Sequence, residues 1–202
     1  MGKFFVGLIA GILLAVAAVY IFIAQGGVPM NVSASSQPME RFLARTAITA
    51  SMGKAGQEQS PIQADETNLL AGAHIYQTKG CAGCHGHIDD PHSGAGKNFY
   101  PLAPHLLPPS KGVTDDEVGE THWVVKNGIR FSAMPTYNER LSDTELWQVS
   151  LLLHNADKLP ASVQAVLREG PGGERKPAAA ATTASPSPAE SASPASSATP
   201  AP

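Results

Sequence analysis

The sequence predicts an all-α protein, and three observations lead there. Apolar residues recur at helical spacing in separate stretches, two of these stretches open with a hydroxyl residue followed three positions later by glutamate, and no strand-rich pattern flanks the two cysteines. Only 15% of the 202 residues are charged against 43% hydrophobic, and 19 glycines and 17 prolines imply that part of the chain is not globular. Composition shifts divide it into residues 1–24, 25–62, 63–168 and 169–202. A formal net charge of −3 with scattered Lys and Arg excludes a DNA or RNA reader. No feature of the sequence indicates an oligomer.

Residues 4–24 are 21 residues without a charge, which as a helix span about 30 Å, the depth of a hydrocarbon core. This reads as a transmembrane anchor. A cleaved signal peptide is the other reading, since Lys3 precedes the run and Ala15-Val16-Ala17 offers small residues, although the apolar run continues seven residues past Ala17. Lys3 on the amino-terminal side, with no basic residue just after the helix, places the rest of the chain outside the cytoplasm.

Residues 25–62 form an arm with one short amphipathic helix. Pro38 stands as its first helical residue, and Met39, Phe42, Leu43, Thr46 and Ala50 fall at helical spacing before Gly53. The helix either packs on the folded domain or lies near the membrane surface. A wholly flexible arm would span roughly 35 Å.

Three helices are expected in residues 63–168. The first covers residues 66–79, with Asp65 as cap, Leu69, Leu70, Ala73 and Tyr76 on one face, and Gly80 as stop. The second opens with the capping box Thr114-Asp115-Asp116-Glu117 and ends at Asn127-Gly128. The third opens with Ser142-Asp143-Thr144-Glu145 and buries Leu146, Val149, Leu152 and Leu153. Between residues 86 and 112 the prolines and glycines predict loop. Residues 169–202, rich in Pro, Ala, Ser and Thr, cannot bury enough apolar surface to order themselves and read as a disordered tail.

Chemistry concentrates in Cys81-Ala82-Gly83-Cys84-His85, the C-x-x-C-H pattern of covalent haem attachment. Two thiols three residues apart reach the two vinyl positions on one porphyrin edge, and the next residue presents an imidazole to the iron. One motif means one haem. Two other readings of the cysteines are open: a thioredoxin-like redox pair, which should sit at a helix start in a βαβ pattern, and a zinc site completed by two of His85, His87, His92 and His105. The sixth iron ligand expected is Met134, the single methionine in residues 63–168, held in a connection between helices and followed by Pro135. A neutral thioether suits low-spin iron and favours Fe(II). The alternatives to Met134 are core packing and, as ligand, one of His87, His92, His105, His122 or His154, each of which alone reads as a surface residue.

These motifs resemble the class I cytochrome c family, especially the small bacterial cytochromes akin to the cytochrome domains of subunit III of cbb3-type oxidases. The resemblance covers about residues 66–157 and rests on Cys81-Ala82-Gly83-Cys84-His85-Gly86, on Gly128-Ile129 with Met134-Pro135, and on Leu141-Ser142-Asp143 with Glu145-Leu146-Trp147. It implies an all-α fold whose first and last helices cross near the haem, with Gly72 and Tyr76 on one side and Trp147 and Leu151 on the other. Ala103-Pro104-His105-Leu106 is similar to the family's proline loop, which makes the Pro104 carbonyl the acceptor for the outer nitrogen of His85. The implied protein is a single-pass cytochrome of the bacterial inner membrane, its haem domain on the periplasmic side. It would carry one haem c through Cys81 and Cys84, with His85 and Met134 on the iron. With both axial positions filled the expected role is electron transfer between a redox donor and acceptor, without catalysis. A permanent haem subunit of a larger membrane oxidoreductase, or a peroxidase-like protein in which Met134 is displaced, are the competing functions.

Overall fold

A computed structural model describes residues 1–90 and 95–169. His92 and all but the first residue of the expected tail lie outside the described residues. Seven helices are present among them: α1 (Gly2–Ala24), α2 (Glu40–Met52), α3 (Glu66–Thr78), α4 (Cys81–His85), α5 (Val118–Asn127), α6 (Asp143–His154) and α7 (Ala161–Glu169). No strand occurs among the described residues beyond an isolated bridge between His87 and Asp90.

The core is a crossing of α3 and α6. Gly72 of α3 lies against the Gln148 carbonyl and the Leu152 side chain of α6, so close that a Cβ there would collide with backbone. Around that contact Tyr76, Leu146, Val149 and Leu152 are fully buried, each aliphatic side chain contributing about 1.5–3 kcal/mol through burial. The close partners of Gly72 are thus Gln148 and Leu152. Trp147, buried in the same core, stacks on His122 of α5.

Capping explains the ends of α3 and α6. Asp65 accepts from the Asn68 amide at 2.9 Å, and Ser142 with Glu145 forms a complete reciprocal box. The second expected box is absent. Its Thr114 hydroxyl donates to the Lys111 carbonyl in a preceding turn, Asp115 pairs with Lys111, and α5 begins only after Glu117, with no side-chain cap. The later start brings Gly119 onto the backbone of Gly56 and Glu58, 2.8 and 2.6 Å from the position of an added Cβ.

Two further expectations are corrected. Pro38 lies outside α2, whose cap is Met39. The carboxyl-terminal end of the arm packs on the domain: Met52 is buried and the 3-10 turn Gly53–Gln57 lies against α5. The fourth long element of the domain, α7, was not anticipated: it seats Val163 and Leu167 on α3, where Gln77 donates to the Leu167 carbonyl at 2.9 Å and Ser162 bonds Glu66. The described residues of the segment from 86 to 112 are loop apart from the short turn Ala95–Asn98.

Candidate functional site

The cysteine motif forms a single helical turn, α4, directly after α3 and bounded by Gly80 and Gly86. Residues three apart on such a turn share a face, so Cys81 and Cys84 project together; both are half-buried free thiols. The Tyr76 hydroxyl, buried between α3 and the chain leaving α4, donates to the Gly86 carbonyl at 2.8 Å and fixes that exit. Burial pushes the Cys81 thiol up, opposed by the neighbouring Tyr137 hydroxyl, which donates to the Lys79 carbonyl at 3.3 Å. Tyr137 itself is pushed up to about 12, by desolvation first and then by Cys81.

The loop after the Ala95–Asn98 turn crosses the end of α4. Gly96 sits directly on the Cys84 carbonyl, with no room for a side chain. That approach delivers Pro104, whose carbonyl accepts a 2.7 Å hydrogen bond from His85 Nδ1. Because a carbonyl can only accept, Nδ1 carries the proton and Nε2 keeps its lone pair, which is the tautomer a metal requires. Desolvation holds the His85 pKa below its ordinary value despite the Pro104 bond.

Met134 lies in the connection between α5 and α6, half-buried on the same apolar core that Cys81 borders. Its loop is tied internally: Ile129 donates to the Met134 carbonyl at 3.1 Å, the Met134 amide donates to Ser132 Oγ at 3.1 Å, and Ser132 Oγ donates to the Ile129 carbonyl at 2.8 Å. The structure thus brings His85 and Pro104 into contact, and sets Cys81 and Met134 on one core.

Two of the histidines weighed as alternatives have other hydrogen-bond partners: His105 Nε2 bonds the His87 carbonyl and His154 Nδ1 bonds the Asp116 carbonyl. His122 is 4% exposed beneath Trp147 and is no surface residue. Among the described residues no three His, Cys, Asp or Glu side chains are placed to hold a metal ion, so the zinc cage finds no support there. The thioredoxin reading fails too, since α4 follows a helix and no βαβ unit exists among the described residues. Two thiols on one turn, an adjacent imidazole with its outer nitrogen tied off and a thioether on the same core form a donor set that fits haem c. Gly96 and Tyr137 were missed as site residues, and Tyr76 was expected at the helix crossing near the haem without its bond to Gly86. Only Tyr137, three residues beyond Met134, carried a signal in its position.

A helical fold that sets a C-x-x-C-H turn and a half-buried methionine on one core is consistent with a cytochrome c domain. Residues 67–153 match the family model described as cytochrome c oxidase, cbb3-type, subunit III, and this segment is a class I cytochrome c domain. Among solved structures, a chain of the Kuenenia stuttgartiensis reducing HAO-like protein complex is similar at 19% identity and a TM-score of 0.36, covering 64% of this chain and 68% of that one. No curated protein matches significantly. A cytochrome c domain implies haem c, electron transfer and redox partners.

Proposed function

We propose that this protein is a membrane-anchored, extracytoplasmic cytochrome with one haem c, passing single electrons between respiratory or periplasmic redox partners. The observation that carries the reading is the His85 to Pro104 hydrogen bond of 2.7 Å beside the paired thiols, because it orients an imidazole for iron at the point of covalent attachment. In this reading Cys81 and Cys84 would anchor the group, His85 Nε2 and the Met134 thioether would hold its iron, and the Pro104 carbonyl would raise the basicity of His85. Haem c supplies a one-electron couple when bound. The chain's own part is to hold the His85 and Met134 side chains on short, internally bonded segments beside the buried side chains of α3, α5 and α6. The anchor is α1, 23 residues long with a mean hydropathy of 2.8 and no buried side chain; its amino-terminal Lys3 orients the domain outward.

The test is the absorption spectrum of protein matured with haem, oxidised and reduced, for the wild type and Met134→Ala. The expected result is c-type haem bands with a far-red iron–sulfur feature that the variant loses. A colourless protein overturns the haem assignment. A coloured protein insensitive to the substitution overturns Met134 as ligand.

A further inference from the structure

The stretch between α1 and the domain carries apolar side chains that nothing in the fold covers. Met30 is 90% exposed, Met39 65% and Phe42 64%, and Val28, Val32 and Leu43 are also open. So many uncovered apolar groups within sixteen residues are unfavourable in water. Their position identifies the solvent that suits them. At the end of α1 the chain reverses, with Gly27 tucked under the Phe22 ring where a side chain would collide. Phe22 then walls one open apolar hollow together with Val28, Pro29, Met30, Pro38 and Leu43. The uncovered surface is therefore continuous with the helix that spans the bilayer.

Charge points the same way. Residues 25–57 contain three basic side chains and one acidic. Arg41 and Arg45, one turn apart, flank the Phe42 and Leu43 stripe on α2, the placement that lets long basic side chains reach lipid phosphates while apolar neighbours insert. Only the carboxyl-terminal Met52 of α2 is buried in the domain. At the other end of α2, Tyr100 of the loop that carries Pro104 lies beside Ser36 and Glu40; desolvation first and then Glu40 raise its phenol pKa. Leu102 in that loop is 57% exposed.

We infer that residues 28–43 form an interfacial elbow seated in the headgroup layer, with Met30, Met39, Phe42 and Leu43 in the acyl boundary and Arg41 and Arg45 at anionic phosphates. The elbow holds the cytochrome domain beside the bilayer, the Tyr100 and Leu102 loop facing lipid, where a flexible arm would let it swing. The inference rests on α1 being retained as the anchor.

The test uses the full haem-loaded chain in vesicles of phosphatidylcholine and phosphatidylglycerol, with or without bromine on the acyl chains. Phe42→Trp adds an indole to the emission of Trp123 and Trp147, which the parent protein supplies as baseline. The expected result is loss of the added emission in brominated vesicles, unchanged when the protein is diluted into more lipid, and slow tryptic cleavage after Arg41 and Arg45 compared with detergent. Intact α1 by mass with no quenching of the added emission overturns the elbow alone. Quenching that vanishes on dilution into lipid overturns it in favour of a second copy covering the surface. A purified chain whose mass lacks α1 overturns both the anchor and the elbow.

Discussion

The imidazole of His122 lies flat on the indole of Trp147, ring centres 3.8 Å apart and planes 4° from parallel. Its Nε2 is buried without a hydrogen-bond partner, 3.7 Å from an Asp143 oxygen that Lys126 already holds at 3.2 Å. Desolvation lowers the His122 pKa, with Asp143 and Glu58 opposing and Lys126 assisting. The folded chain therefore keeps this ring neutral, whereas the unfolded chain takes up a proton near pH 6.5. Above about that pH the group is neutral in both states, and below it the unfolded state binds more protons and stability is lost. Melting temperatures measured as the pH is lowered from neutral should fall more steeply for the wild type than for His122→Gln. Equal slopes refute this assignment.

Gly72→Ala should destabilise the domain, although alanine is the better helix former by about 1 kcal/mol. The added methyl meets the Gln148 carbonyl, which belongs to a helix backbone and cannot rotate away. Separating α3 from α6 should cost about 1–3 kcal/mol in excess of that propensity gain, read as a lower denaturation midpoint in urea with little change in slope.

Ser142→Ala and Thr114→Ala are matched in sequence and unequal in structure. The first removes a working cap and should cost about 1 kcal/mol. The second breaks only a hydroxyl bond to Lys111 in an exposed turn and should change stability by less than about 0.5 kcal/mol. The Ser142 loss should shrink under acid as Glu145 is protonated. Its carboxyl is held below the usual range by its bonds to Ser142, so that contribution exists at neutral pH and disappears as the pH falls through the lowered pKa.

Tyr76→Phe leaves the buried Gly86 carbonyl without its 2.8 Å donor. The expected loss is about 1–3 kcal/mol, measured by calorimetry on the haem-loaded protein. Tyr137→Phe removes a longer bond of 3.3 Å, to the Lys79 carbonyl, and should cost less.

Legibility in the sequence followed how local each signal was. α3 and α6 could be placed because Asp65 and Ser142 act on amides three residues away. The attachment turn could be placed because its chemistry lies within five consecutive residues. The start of α5 could not, since Thr114 finds a partner in the turn before it, and the contact of Gly119 with Glu58 joins segments far apart in sequence. Helix α7 offers only Val163 and Leu167 fully buried, four residues apart, and is stabilised by α3. His122 looked like a surface residue because its burial comes from the face of Trp147, twenty-five positions away. At the candidate site, the long-range approach of Gly96 to Cys84 was invisible for the same reason.

The hydrogen bonds that close the loop from Ile129 to Met134 run between members of the loop itself, and they hold even Phe131 at φ 62°, a conformation rare outside glycine. Electron transfer is slowed by any atom that must relocate when charge arrives, and a group fixed in advance adds little to that cost. In the proposed role of Met134 as an iron ligand, a thioether carried on such a braced ring would keep its place in both oxidation states, and the loop would act on the speed of exchange by lowering the reorganisation energy.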